Sequence, residues 1–180
     1  MAAWTHIAHE SLSLPAATVT WTGISGSYDH LLIKISGRSA RTASDYDYVK
    51  CEFNNDTTSG NYSYTQLYAE ASGSATPASG RGTSLAFAGY VSTDNTTADT
   101  FGTNQIWIPH YSNTANFKQC LVRSAAENAS TTDTEWIVDR TAMLWHATPA
   151  AITEIDLTLG YGGDDWMAHS TFDLYGILGA

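Results

Sequence analysis

Hydrophobic and polar residues alternate along most of the chain with a period of two, which is typical of β-strands with one buried face. The clearest run is Thr153 to Leu159, in which Ile155, Leu157 and Leu159 are predicted to point inward. Similar runs are separated by turn residues at intervals of about 8 to 12 residues. Predicted strand segments are 4–14, 18–24, 28–36, 46–54, 62–68, 84–92, 105–111, 117–124, 136–146, 153–159 and 170–178.

This pattern predicts an all-β fold, specifically an antiparallel, jelly-roll-like β-sandwich of roughly ten short strands. The run 136–146 is long enough for two strands or one bent strand, and Pro109 favours an edge strand or a bulge. Residues 71–82 are rich in Gly, Ser, Ala and Pro, so they are predicted to form a mobile loop. Residues 1–14 are predicted to form an N-terminal arm or edge strand, and residues 15–180 a single sandwich domain.

The charge balance narrows the classes of partner. The formal net charge is −10, and the eight Lys and Arg residues are scattered along the sequence, so we expect no nucleic-acid binding. No run approaches the roughly 20 apolar residues that a membrane helix needs. The first residues have neither a basic nor a continuous apolar stretch, so we expect no signal peptide and synthesis in the cytoplasm.

Residues capable of chemistry are few and far apart. Cys51 and Cys120 each lie at the centre of a strand-like run, which leaves a disulfide open but favours two buried thiols. His6 and His9 are three residues apart, so on a regular strand they point to opposite faces and are not expected to share a zinc ion. The acidic loops 94–99 and 160–165 hold possible calcium ligands, but neither has the full ligand set of a known calcium motif, and turn formation explains their composition better.

No recognisable catalytic motif is present, and we expect no cofactor and no enzymatic activity. Gly23 to Ser27 has the wrong register for a nucleophile elbow and is predicted to be a turn. Paired carboxylates of a glycan hydrolase cannot be located from the sequence.

Aromatic residues are the strongest remaining signal, with six Trp and ten Tyr in the chain. Aromatic side chains on a sheet surface either stabilise strand pairing or supply a binding surface for a protein or a sugar ring. The residues that we predict to form an interface are Trp4, Ile7, Leu12, Leu14, Tyr46, Tyr48, Tyr62, Tyr64 and Trp107.

Five segments of the sequence carry a resemblance to a known family, namely Tyr28–Arg38, Phe53–Asp56 with Tyr62, Ile106–Tyr111 with Lys118, Ala150–Ile155 and Ser170–Ile177. Together they resemble small virion proteins of tailed bacteriophages. The most specific part is Leu174-Tyr175-Gly176-Ile177, and the resemblance departs at Trp166–His169, where a Gly-Ser turn is expected. The resemblance implies an all-β module without catalytic residues, displayed on the particle as a capsid decoration protein or as part of a tail fibre.

We therefore expect a capsid decoration (cement) protein on the virion surface that bridges neighbouring capsid subunits from outside. Its expected partners are the major capsid protein and sister copies in a homodimer or homotrimer, with no nucleic acid and no membrane. The alternative is a carbohydrate-binding tail-fibre or receptor-binding module, in which the surplus aromatic residues bind a glycan.

Overall fold

The computed structural model describes residues 3–70, 73–83, 86–127, 136–161 and 164–179. Within these ranges the chain forms twelve strands and no helix, which confirms the all-β prediction. Accordingly, the described residues contain no helix that could span a membrane. The strands are β1 (Trp4–Ser11), β2 (Thr18–Thr22), β3 (His30–Ser39), β4 (Tyr46–Phe53), β5 (Tyr62–Glu70), β6 (Ala75–Thr83), β7 (Phe87–Thr93), β8 (Gly102–Pro109), β9 (Lys118–Ala126), β10 (Ile137–Trp145), β11 (Glu154–Leu159) and β12 (Thr171–Ile177).

The strands belong to one open, mixed sheet in which β3 is the junction. The long part of the sheet has the order β6-β5-β10-β9-β8-β3-β12-β1, and the short part has the order β2-β11-β4-β7. All strand pairs are antiparallel except the junction, where Arg38 and Ser39 of β3 pair in parallel with Ser92 and Thr93 of β7. The mixed character of the sheet therefore comes from two residue pairs.

The predicted alternation is visible in the burial of the strands. Ile155 and Leu157 of β11 are fully buried, and Leu159 is nearly so, as the sequence predicted. Burial of such side chains contributes about 2 kcal/mol each. Cys51 of β4 and Cys120 of β9 are both buried free thiols, and burial raises the pKa of each thiol above its usual value.

Strand β7 packs across β8, β9 and β10, which brings the short part of the sheet against the long part. Gly102 of β8 allows the closest approach, because a Cβ there would lie 2.7 Å from the backbone nitrogen of Ser92. Polar side chains also link these strands. Asn104 donates to the Ala88 carbonyl at 2.6 Å, and the Ser124 hydroxyl accepts from the Tyr90 amide at 2.9 Å.

Residues 75–83 form strand β6, so the prediction of a loop over 71–82 is wrong for this stretch. The strand lacks a hydrophobic face of its own and is held by antiparallel pairing with β5. Gly80 lies against the Tyr64 ring, where a Cβ would come within 2.5 Å of Cε1. Strand β6 is thus held by backbone pairing and one close contact, and it lacks the alternating apolar side chains from which strands are predicted.

Pro109 does not mark an edge strand. It is the last residue of β8, which lies between β3 and β9 in the interior of the long part. Proline is tolerated there because the ladder ends at that residue. The run 136–146 contains one strand, β10, rather than two.

Trp166 fills the place where the sequence departs from the resemblance stated above. Its indole is fully buried, packs edge-on against Phe172 at 4.8 Å between ring centroids, and donates to the Leu157 carbonyl at 3.1 Å. The residue also forms isolated bridges to Ala16 and Ser39. Trp166 therefore joins β11, β12 and the segment before β2.

Strand β1 is the edge strand beside β12 and contains a β-bulge. His6 pairs with Tyr175, but Ala8 pairs with Leu174, so Ile7 is the extra residue. The bulge reverses the expected alternation and places His6 and His9 on the same face. The prediction that the two histidines point apart is wrong for this reason.

Candidate functional site

The outward-pointing residues of the long part form a broad exposed surface, here called the outer face. Alternate residues of β9 and β10 point away from the core, and these positions hold apolar and basic side chains. Leu121 is 62% exposed and Leu67 is 53% exposed. The main residues of the outer face are Trp4, Lys34, Leu67, Trp107, Leu121, Arg123, Val138, Arg140 and Leu144.

A groove of about 420 Å³ crosses the outer face between the first strand and β9. Trp4 and Trp107, two of the predicted interface residues, both line it. Three basic residues line the same groove, and they are Lys34, Arg123 and Arg140. The structure thus brings together aromatic and basic groups from β1, β3, β8, β9 and β10.

A second groove of about 650 Å³ adjoins the first. The two grooves share Trp107 and Leu121, and the second extends past Leu144 to Arg81 of β6. Because β6 and β8 line the same groove, the outer face is concave between them. This shape suits a ligand or partner that inserts a convex surface.

The basic residues are clustered in space although they are scattered in sequence. Lys34, Arg81, Arg123 and Arg140 border the two grooves, and no described residue lining either groove is acidic. None of these four forms an ion pair with a carboxylate in the described ranges. The prediction of dispersed cations is therefore corrected, and the outer face is basic in a chain whose net charge is −10.

Neighbouring groups hold two of the basic side chains in place. The Lys34 ammonium lies 5.2 Å from the Tyr175 ring centroid and 5.8 Å from that of Trp4. Arg123 donates from Nε to Oε1 of Gln105 at 2.8 Å. Lys34 lies opposite Asp173 in the strand register without forming an ion pair, and Arg123 bonds a neutral amide, so both cations can still attract an anionic group.

Three of the predicted interface tyrosines belong to a separate cluster, although one of them, Tyr64, also lines the second groove of the outer face. Tyr46, Tyr48 and Tyr64 are half-buried around Phe87 and Tyr90 of β7. The Tyr46 hydroxyl donates to Glu70 at 2.7 Å, and burial together with that bond raises the pKa of the phenol. These tyrosines stabilise the packing of the short part on the long part.

Four other predicted interface residues occupy different environments. Tyr62 is fully buried, and its hydroxyl accepts from the Phe53 amide at 3.0 Å. Leu12 is also buried, so neither side chain is available to a partner and both are corrected to core residues. Ile7 is half-buried against the core, and Leu14 is exposed but lies outside the outer face.

Possible metal ligands lie close together where β1 pairs with β12. In the described ranges, a close group of three such residues occurs at His6, His9 and Asp173, not at the loop 94–99. In that loop, Asp94 instead accepts from Nη2 of Arg38 at 3.2 Å. The loop 160–165 lies partly outside the described residues, since 162 and 163 are not described.

Sequence reasoning missed the basic half of the outer face. Lys34, Arg123 and Arg140 come from three strands that are distant in sequence, and only the strand order makes them neighbours. The available signal was the outward position of Leu121 and Arg123 in the alternation of β9.

Comparisons with protein-family models, with curated proteins and with solved structures gave no match.

Proposed function

We propose that this chain is a structural binding protein of a bacteriophage particle, namely a capsid decoration protein that attaches through its outer face. The observation that carries the proposal is the outer face itself, which is exposed, concave, largely apolar and basic. Interfaces are typically rich in aromatic residues and Arg at their centre, and both types surround Leu121 here. The viral assignment comes from the sequence resemblance alone.

The proposal implies binding without turnover. The apolar side chains would bury against a shell subunit, while Arg123 and Arg140 would face acidic groups of that subunit. Many copies on one shell make a modest contact per copy effective. We propose the finer architecture, a jelly-roll-like sandwich, as the form that presents this face.

The test is incorporation into particles. Particles that lack the chain are incubated with purified wild-type protein or with Leu121→Glu, and bound protein is measured after sedimentation. We expect the Leu121→Glu variant to bind at least about tenfold more weakly, because the substitution places a carboxylate at the centre of an apolar contact. Image reconstruction of the wild-type complex should show density on the outside of the shell.

Leu14→Glu is the matched control, because Leu14 is 74% exposed and lies outside the outer face. It should bind like the wild type, and both variants should retain the wild-type circular dichroism spectrum. Loss of binding by Leu14→Glu alone would move the contact to the N-terminal segment. Absence of the wild-type protein from the shell would remove the proposal.

An acidic glycan is the second candidate ligand, and the groove between Trp4 and Trp107 favours it. Aromatic rings bind sugar faces, and the basic residues beside them would select carboxylated or sulfated sugars. Binding to an acidic polysaccharide, with no binding to shells, would identify the chain as a tail-fibre-type module instead. A neutral polysaccharide of similar length is the control for that measurement.

A further inference from the structure

His6, His9 and Asp173 converge at the edge of the outer face. Nε2 of His6 and Nδ1 of His9 each lie 2.9 Å from the same oxygen, Oδ1 of Asp173. All three potential ligand atoms lie within 4.8 Å of one another. The carboxylate is thus shared by two imidazoles from the neighbouring strand.

The β-bulge at Ile7 produces this convergence. On a regular strand, residues three apart alternate in direction, so His6 and His9 could not both reach Asp173. With the extra residue, His6 pairs with Tyr175 and His9 pairs with Asp173, two positions that share one face of β12. Bulges commonly re-aim side chains at functional sites.

We propose that His6, His9 and Asp173 bind a divalent transition-metal ion of the zinc class. Zinc takes imidazole nitrogen and carboxylate oxygen at about 2.0–2.1 Å, which places the ligand atoms of a tetrahedral site about 3.3 Å apart. The two distances to Oδ1, each 2.9 Å, are close to this spacing, whereas the widest separation in the group, within 4.8 Å, must close by side-chain rotation to admit the ion. Three protein ligands leave at least one position for water or for a ligand supplied by a partner.

The surroundings of the site allow an ion to enter and leave. The His6 and His9 side chains are about half exposed, at 48% and 49%, whereas Asp173 is more covered at 28%. The His6 ring packs against Tyr175 at 5.1 Å between centroids, which restricts its orientation. The mixed nitrogen and oxygen set favours zinc, cobalt or nickel over calcium or magnesium, which prefer oxygen alone.

A bound ion would fasten the edge strand β1 to β12. Both histidines belong to β1 and the carboxylate belongs to β12, so the metal would add a cross-strand link beside Trp4. Anything that binds the folded state alone stabilises it by mass action. The ion would thereby hold Trp4 in the groove of the outer face.

The experiment measures binding of Zn²⁺ and Co²⁺ to untagged, chelator-treated protein. We expect saturable binding of one ion per chain, a visible absorption spectrum with Co²⁺, and slower amide exchange in β1 when Zn²⁺ is present. His6→Ala, His9→Ala and Asp173→Asn should each weaken binding by at least about tenfold, because loss of an outer-shell partner alone costs 10- to 100-fold.

His110→Asn is the matched control. His110 is exposed, packs against His30 at 4.8 Å and has a positive φ of 49° that asparagine tolerates. It should bind Zn²⁺ like the wild type. Equal binding by the wild type and His9→Ala, or no saturable binding by the wild type, would overturn the proposal and leave a hydrogen-bonded cluster. The circular dichroism spectrum of each variant shows whether it has folded, and the Co²⁺ spectrum reports the ligands directly.

Discussion

Asp139 is an acidic residue of β10 on the inner side of the sheet, and the residue as a whole is only 4% exposed. It accepts hydrogen bonds from Thr141, and Gln66, Ser124 and Tyr90 lie around it. Burial raises the pKa of its carboxyl to about 6, even though the hydrogen bonds act in the opposite direction. Compared with the unfolded chain, the folded chain therefore keeps the proton of Asp139 up to a higher pH.

This shift predicts a specific pH dependence of stability. Between about pH 4 and pH 6 the folded chain binds more protons at Asp139 than the unfolded chain does. The contribution of Asp139 to the free energy of unfolding is therefore complete below about pH 4 and declines as the pH rises to about 6. We expect Asp139→Asn to remove that decline and to raise the free energy of unfolding at pH 7 by on the order of 2 kcal/mol. Urea unfolding of both proteins at several pH values measures the difference.

The difference between the pH profiles of the wild type and Asp139→Asn isolates the effect of Asp139 from that of other titrating residues. Burial also raises the pKa of Asp47, whereas hydrogen bonds outweigh partial burial and lower the pKa of Asp56 and Asp173. Asp99→Asn, on an exposed turn, controls for the loss of one negative charge. An identical pH profile for Asp139→Asn and the wild type would contradict the assignment.

At the scale of the elements, the junction of β3, β7 and β8 decides how the two parts of the sheet meet. Gly102 pairs with Gly37 across β3 and β8, and the backbone of Val91 and Ser92 lies directly over it. The contacting atoms are backbone atoms, which cannot move aside as a side-chain end can. The close approach of β7 depends on the missing side chain.

We expect Gly102→Ala to lower the free energy of unfolding by about 3 kcal/mol, because its Cβ would overlap the β7 backbone. Gly26→Ala is the matched control, since its Cβ would meet only Ser112 Cβ at an ordinary 3.7 Å. Its effect should stay within about 0.5 kcal/mol. Thermal or urea unfolding gives both values, and a Gly102→Ala protein as stable as the wild type would show that β7 can move away.

The elements also show where sequence patterns suffice and where they do not. Strand β11 was predictable because Ile155 and Leu157 face the core and their neighbours face outward. Strand β6 was not, because it is held by hydrogen bonds to β5 and carries no apolar face. The shared face of His6 and His9 was hidden by a single-residue bulge, which leaves no trace in composition.

For the whole molecule, the net charge does not describe every side of the surface, because four of the eight basic residues are gathered on the outer face. The chain carries −10 overall, but the basic residues of the outer face have no described acidic neighbours in the grooves. Composition alone predicted an acidic surface, and it could not show which side holds the cations. Strand order supplies that information, because it places Lys34, Arg123 and Arg140 in one cross-strand row, with Gln105 between the first two.

In free solution the outer face has no shell to contact, so we expect it to bury part of its apolar area against a second copy. Sedimentation equilibrium at micromolar concentration should give a mass of two or three chains for the wild type. Leu121→Glu should shift the mass toward the 19.4 kDa of one chain. A single-chain mass for the wild type would contradict the predicted homodimer or homotrimer.

Strand β6 limits the manner in which copies can associate. It closes one end of the sheet and contains Pro77, which lacks an amide proton, and Gly82, whose φ of +59° is incompatible with a regular ladder. A neighbouring chain cannot extend the hydrogen bonding beyond such a border. Strand addition at β6 is thereby disfavoured, and this end of the molecule is protected against growth into fibrils.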